Sequence, residues 1–197
     1  MNKVFLFDVG NVLMYPFSFE GFYNSLNIKE DFEEFKEFFI RTCNLAESGK
    51  ISDYDFFNGF IKEYNLNLSV NEIRKKYVDN DGDYNLDAIE LLKKIKSKGY
   101  KIYILSDLKE IDFEDFKENV SDNLYDKFYK SYEIGYMKPS REIYEYVIND
   151  IGINPSNIIF LDDKENNVNG AKELGIDARL VNSYNLIEYF KENIDLE

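Results

Sequence analysis

The chain has 197 residues, of which 44% are hydrophobic and 17% aromatic. A chain of this length and composition can bury a core without disulfide bonds, so we expect one or two folded domains and no global disorder. Its 38 Asp and Glu residues outnumber its 24 Lys and Arg residues, for a formal net charge of −14. This charge argues against nucleic acid and anionic membrane as partners.

Histidine is absent and cysteine occurs once, at Cys43. These counts exclude Ser-His-Asp and Cys-His nucleophile systems, His-ligated metals, cysteine-rich zinc sites and an internal disulfide. A single cysteine is typical of a reducing compartment. The apolar run at residues 4–7 is interrupted by Asp8, too early for a signal peptide, and no run reaches the length of a membrane span. We therefore predict a soluble, cytoplasmic protein.

Short, continuous apolar runs predict strands that are buried on both faces of a parallel sheet. The first run is residues 4–7, and residues 102–105 and 158–161 follow. Residues 178–181 are a fourth candidate and residues 128–132 a weaker one.

Helical periodicity lies between these runs. Apolar residues recur at helical spacing over residues 86–95, with Gly99 where a C-terminal cap belongs. Further helices are predicted over residues 142–151, 168–174 and from 186 to 190 and beyond. The alternation of strand and helix predicts an α/β fold with a doubly wound, Rossmann-like parallel sheet.

Residues 16–82 interrupt this alternation. Aromatic residues recur at helical spacing over residues 32–39 and 56–64, a pattern typical of helices whose aromatic stripe faces a core. We predict a small helical domain at residues 16–82, inserted into an α/β core made of residues 1–15 and 83–197.

The predicted strands end in polar residues. Asp8 follows the first run, Ser106 and Asp107 follow the second, and Asp162 and Asp163 follow the third. Because ligands bind at the carboxyl ends of parallel strands, we expect these side chains at one edge of the sheet. Carboxylates gathered there would repel one another without a hard cation, and oxygen ligands are those that Mg²⁺ prefers.

An aspartate in such a site can act as a nucleophile and form an aspartyl-phosphate. The remaining phosphoryl charge then needs a positive group. Lys138 lies in a predicted turn just before a helix and is the candidate for this role.

Four motifs, in chain order, resemble those of the haloacid dehalogenase-like (HAD) superfamily. They are Phe7-Asp8-Val9-Gly10-Asn11-Val12-Leu13, Leu105-Ser106-Asp107, Met137-Lys138-Pro139 and Phe160-Leu161-Asp162-Asp163-Lys164-Glu165-Asn166-Asn167-Val168. Each motif alone is weak, but the ordered set spans residues 8–168. The inserted segment resembles the family's cap domain, and the residues around 8–12 and 49–52 are similar to a bacterial branch that includes a glucose-1-phosphate phosphatase.

The resemblance implies catalytic and phosphate-binding roles for particular residues. Asp8 would attack phosphorus. Ser106 and the backbone N–H groups of Val9 and Asp107 would bind the phosphoryl oxygens. Lys138 would neutralise charge on the nucleophile and the phosphoryl group.

The resemblance also implies a Mg²⁺ site. Its ligands would be Asp8, the carbonyl of Gly10 and Asp163, with Asp162 close by or bound through water. Asn167 would order the loop around them.

One position departs from the family pattern. Many family phosphatases carry a second Asp two residues after the nucleophile, which protonates the leaving oxygen, whereas this chain has Gly10. General acid–base help contributes about 10²–10⁴-fold to rate, so turnover could be slow, or Asp107 or water could substitute. A positive φ at Gly10 is a further possibility.

We predict a Mg²⁺-dependent phosphomonoester hydrolase of a small phosphorylated metabolite, with a sugar phosphate as one option, acting as a monomer or homodimer. One alternative is a metal-independent 2-haloacid dehalogenase, against which the acidic pair Asp162 and Asp163 argues. Another is a catalytically weak phosphate-binding or regulatory module, which Gly10 favours.

Overall fold

A computed structural model describes residues 3–194. Five parallel strands form one sheet in the order β3-β2-β1-β4-β5. The strands are β1 (Val4–Phe7), β2 (Lys101–Ser106), β3 (Lys127–Lys130), β4 (Ile158–Asp162) and β5 (Asp177–Leu180). The predicted α/β fold is confirmed. Strand β3 ends at Lys130, whereas the sequence predicted a strand up to residue 132, because Ser131 begins a short helix.

The helices are α1 (Phe19–Leu26), α2 (Phe32–Glu47), α3 (Asp53–Glu63), α4 (Val70–Val78), α5 (Leu86–Ser97), α6 (Glu110–Asn119), α7 (Ser131–Ile134), α8 (Arg141–Ile151), α9 (Glu165–Glu173) and α10 (Leu186–Asn193). Sequence periodicity did not predict α1, α4, α6 or α7, and α9 begins at Glu165 rather than at residue 168. Among the described residues, no helix combines the length and apolarity that a membrane span requires.

The sheet is buried on both faces, as its continuous apolar strands predict. Phe5 and Phe7 of β1 pack into one apolar cluster, which includes residues of α5, α6 and α10. Leu6, between them, packs into a second cluster on the opposite face with residues of α8 and α9. Both faces of the sheet are therefore covered, which leaves the ends of the strands for ligand binding.

A third apolar cluster lies within helices α1–α4. It is rich in aromatic residues, which include Phe22, Phe35, Phe38, Phe39, Phe56, Phe57, Phe60 and Tyr77. Ile111 of α6 joins this cluster from the sheet-containing part of the chain. The segment that contains α1–α4 begins and ends at an antiparallel bridge between Met14 and Tyr84. Beside it, the Tyr15 N–H donates to the Asp83 carbonyl at 2.9 Å. The bridge lies at the predicted boundaries, and the assignment of residues 16–82 as a separate domain stays a prediction.

Candidate active site

Asp8 lies directly after the central strand β1. Phe7 pairs with Leu161 of β4, and the Asp8 N–H donates to the Leu161 carbonyl at 2.9 Å. Asp162 is the next residue of β4, and Ser106 is the last residue of β2 on the other side of β1. The parallel register therefore brings side chains from three strands to one edge, as expected.

Three carboxylates meet at this edge. Asp8, Asp162 and Asp163 each offer an oxygen within 4.8 Å of the others. Oδ2 of Asp163 accepts a hydrogen bond from Asn11 at 3.0 Å, whereas Oδ1 is buried and has no hydrogen-bond partner among residues 3–194. A buried oxygen without a donor is costly unless a cation satisfies it. The oxygen-only cluster and this orphaned atom therefore fit a Mg²⁺ ion.

Asp162 is fully buried, and protein donors already engage both of its oxygens. Oδ1 accepts hydrogen bonds from the Lys164 backbone N–H and the Asn167 side chain, each at 2.9 Å. Oδ2 lies 2.8 Å from Nζ of Lys138. Asp162 thus links the start of α9 to Lys138, and its role beside a metal ion stays a prediction.

Lys138 lies in the loop between α7 and α8. Its Nζ is 2.8 Å from Oδ1 of Asp8 and donates to the Leu105 carbonyl at 3.1 Å, and its backbone N–H donates to Asp107 at 3.0 Å. Burial works to lower the pKa of Lys138, but the carboxylates of Asp8, Asp162 and Asp107 outweigh it and hold the pKa well above its ordinary value. Lys138 is therefore a fixed positive charge beside Asp8.

The acidic residues respond to burial in the opposite direction. Burial raises the pKa of Asp8 to about 7, against the lowering effect of Lys138, and Asp162 and Asp163 add to the rise. Burial also raises the pKa of Asp107 to about 6. A divalent cation beside Asp8 would favour its carboxylate, which is the nucleophilic form.

The turn after Asp8 corrects one expectation. Gly10 does not adopt a positive φ; Asn11 does, at 53°. A Cβ built on Gly10 would meet no heavy atom within 4 Å. The glycine therefore leaves open space at this position and relieves no backbone strain.

Three further residues belong to the site but were not predicted. Asn11 donates to Asp163 and accepts from the Ser183 hydroxyl at 2.9 Å. Lys164 lines the same cavity as Asp8, and the Asp8 carboxylate raises the pKa of Lys164 against the lowering effect of desolvation. Asn11 and Lys164 stand within the motifs, but nothing in the sequence connects Ser183 to a partner 172 residues away.

A cavity of about 500 Å³ opens above Asp8. Val9, Gly10, Ser106, Asp107, Lys138 and Asp163 line it, so it contains most of the predicted site residues. Asp162 and Asn167 are not in its lining; they are hydrogen-bonded to each other beneath it. A second cleft of about 680 Å³, lined by Asp81, Asp83, Asp87 and Asp115 among others, shares none of these predicted site residues.

The family model of the haloacid dehalogenase-like hydrolases matches residues 2–175. The chain belongs to this family. It is therefore a hydrolase, and the resemblance seen in the four motifs is confirmed at the level of the superfamily. Its closer similarity to the glucose-1-phosphate phosphatase branch stays a prediction.

Two curated relatives of this HAD-like hydrolase are phosphatases. A D-ribitol-5-phosphate phosphatase of Bacteroides thetaiotaomicron is 27% identical over 67% of this chain and 67% of that protein. A sesquiterpene phosphatase of Aspergillus oryzae is 29% identical over 68% of this chain and 69% of its own length.

Solved structures that are similar to this chain include members of the same family. A HAD family enzyme of Bacteroides thetaiotaomicron, in complex with magnesium and inorganic phosphate, is 28% identical with a TM-score of 0.82, over 92% of this chain and 94% of that one. A HAD-like hydrolase of Porphyromonas gingivalis has a TM-score of 0.82 over 98% of both chains. At 19% identity this second likeness concerns the fold alone.

Proposed function

We propose that this hydrolase is a Mg²⁺-dependent phosphatase of small phosphomonoesters. The observation that carries the proposal is the placement of Asp8 at a cavity, 2.8 Å from Lys138 and beside a carboxylate cluster with an orphaned oxygen on Asp163. The phosphatase relatives and the related magnesium and phosphate complex support it. A cytoplasmic location and a monomer or homodimer remain proposals from the sequence.

The cation would be held by Asp8, Asp163 and the carbonyl of Gly10. When bound, Mg²⁺ neutralises phosphoryl charge and lowers the repulsion between an anionic substrate and the anionic nucleophile. Asn11 orients Asp163 through its hydrogen bond of 3.0 Å. Asp162 holds Lys138 and lies close to the cation or binds it through water.

The proposed reaction has two steps. A carboxylate oxygen of Asp8 attacks phosphorus, and the bond from phosphorus to the ester oxygen breaks. Lys138, the Ser106 hydroxyl and the N–H groups of Val9 and Asp107 bind the phosphoryl oxygens. Water then attacks the aspartyl-phosphate, which releases inorganic phosphate and restores the Asp8 carboxylate. The proton that water loses returns to the group that protonated the leaving oxygen.

The departing ester oxygen needs a proton that Gly10 cannot supply. Asp107 lines the cavity, and its pKa of about 6 leaves part of its population protonated near neutral pH. We propose that Asp107 gives its proton to the leaving oxygen, with water as the alternative donor.

A 2-haloacid dehalogenase is the competing enzyme class. A (S)-2-haloacid dehalogenase of Burkholderia cepacia is 28% identical over 49% of this chain. The orphaned oxygen of Asp163 favours a metal-dependent phosphatase over this alternative, because a metal-independent enzyme has no cation to satisfy it.

The test is phosphate release from a panel of phosphorylated metabolites, with Mg²⁺ and with EDTA, beside halide release from 2-haloacids. We expect phosphate release that EDTA abolishes. Halide release without metal would replace the proposal by a dehalogenase. Phosphate binding without turnover of any ester would replace it by a binding module.

A further inference from the structure

The cavity above Asp8 has largely apolar walls. Phe17 lies just before α1, Phe19 is the first residue of α1, and Phe39 and Ile40 come from α2. Met14 adds a further apolar side chain to the lining. The wall available to the alcohol part of a bound ester, away from Asp8 and Lys138, is therefore mostly hydrocarbon.

Part of this wall is continuous with the aromatic cluster of α1–α4. The Phe17 ring stacks on Phe39 at 5.3 Å and meets the Phe19 ring edge-on at 5.3 Å. Ile40, by contrast, is 44% exposed and projects apolar surface that no core residue covers. These rings form a preorganised wall, so a ligand need not order them on binding.

Two charged residues of the cavity lining, Lys109 and Asp112, are engaged with each other. Nζ of Lys109 lies 2.8 Å from Asp112, whose other oxygen accepts from the Tyr77 hydroxyl at 3.0 Å. Lys109 also lies 4.8 Å from the centroid of the Tyr77 ring. A ligand hydroxyl placed at Lys109 and Asp112 would compete with these existing contacts rather than fill vacant ones.

We infer that the site is selective for phosphomonoesters with an apolar leaving group, an aliphatic or aromatic alcohol of several carbons, over polyol and sugar phosphates. The inference rests on the proposed function and specifies its substrate class. Hydroxyls placed against the phenylalanine wall would lose water without gaining partners. Each methylene buried against this wall would be removed from water, which should raise the affinity by about fourfold.

The experiment compares primary phosphate esters, so that the bond broken is of the same kind in each. Initial rates with Mg²⁺ are measured for ethyl, butyl and hexyl phosphate and for a linear hexitol 6-phosphate. We expect kcat/KM to rise by about fourfold per methylene and hexyl phosphate to exceed the hexitol ester. Preference for the hexitol ester, or no dependence on chain length, would overturn the inference.

A pair of variants on one helix tests whether the wall is the cause. Ile40→Asn removes apolar surface from the cavity, whereas Leu45→Asn makes the same kind of change at an exposed position of α2 outside the lining. We expect Ile40→Asn to flatten the dependence on chain length and Leu45→Asn to retain it. Equal slopes in both variants would contradict the assignment of the wall.

The binding of compounds that cannot be hydrolysed as phosphate esters tests the apolar subsite independently of phosphatase activity. Calorimetry with Mg²⁺ compares n-hexylphosphonate with methylphosphonate, neither of which needs to be hydrolysed. Tighter binding of the hexyl compound supports the apolar subsite, and equal binding overturns it. Absence of hydrolysis of every ester would refute the phosphatase proposal, and the phosphonate comparison would still decide on the subsite.

Discussion

Nζ of Lys138 lies 2.8 Å from Oδ1 of Asp8, and both side chains are almost fully buried. The same Nζ lies 2.8 Å from Asp162, so one cation bridges the nucleophile candidate and a second carboxylate. Removing one partner of a buried ion pair is strongly destabilising because it leaves the other charge uncompensated. Some substitutions of Asp8, Lys138 and Asp162 should therefore reduce activity, and others should reduce the stability of the fold.

Asp8→Asn is expected to reduce phosphatase activity by about 10³-fold or more, because a neutral amide cannot form the aspartyl-phosphate. The amide retains an oxygen that can accept from Lys138, so the fold should persist. Activity and circular dichroism of the purified variant provide the measurement. Asp87→Asn, at an exposed position of α5, carries the same charge change and should leave activity unaltered. Wild-type turnover in Asp8→Asn would refute the nucleophile assignment.

Asp163→Ala should weaken the response of activity to Mg²⁺, whereas Asp162→Ala should lower the stability of the fold. Asp163→Ala removes the orphaned oxygen, so the Mg²⁺ concentration for half-maximal activity should rise by at least about tenfold. Asp162→Ala removes a buried partner of Lys138, so unfolding free energy should fall by about 3–5 kcal/mol.

Metal titration of activity and thermal unfolding of both variants check this distinction. The two variants serve as controls for each other, since each replaces one neighbouring aspartate. A larger shift in Mg²⁺ dependence for Asp162→Ala than for Asp163→Ala would mean that the two roles are reversed.

Asp107 should make stability depend on pH. Its pKa is raised from 3.8 to about 6 by burial, against Lys138 and Lys164 and together with Glu47. The folded state thus binds this proton more tightly than the unfolded chain, and the group costs the folded state stability as pH rises from about 4 to about 6.

Asp107→Asn cannot titrate but can still accept from the Lys138 N–H. Its Tm relative to wild type should therefore rise between about pH 4 and about pH 6 and then level off. Unfolding curves at several pH values in EDTA measure the difference. A difference that is constant across this range would show that the carboxyl is not perturbed.

Gly10→Asp should raise activity on alkyl phosphates by up to about 10²-fold, since it places a carboxyl two residues after the nucleophile, where many family phosphatases carry their acid. The position accommodates a side chain, because a Cβ there meets nothing within 4 Å and the backbone is not in the left-handed region. Aryl phosphates, whose leaving groups need less protonation, should gain less. Rates on both ester classes, with the isosteric Gly10→Asn as control, provide the measurement. An equal gain in the Asn variant would exclude proton donation as the cause.

Much of this site was predictable from local sequence. Continuous apolar runs identify the strands, because a strand buried on both faces needs apolar residues at every position. The residue after each run then lies at the functional edge of a parallel sheet. Asp8, Ser106, Asp107, Asp162 and Asp163 could be placed in this way.

Other features depend on contacts between distant segments. The Ser183 hydroxyl donates to Asn11 across 172 residues. Phe17 lines the cavity together with residues as distant in sequence as Lys138. The sequence also left open whether Gly10 carries a positive φ, which Asn11 adopts instead. Local pattern determines which residues are strand or helix and which polar groups end a strand. Tertiary packing alone decides which oxygen of Asp163 stays unpartnered and which apolar side chains line the cavity, because both depend on neighbours far away in the sequence.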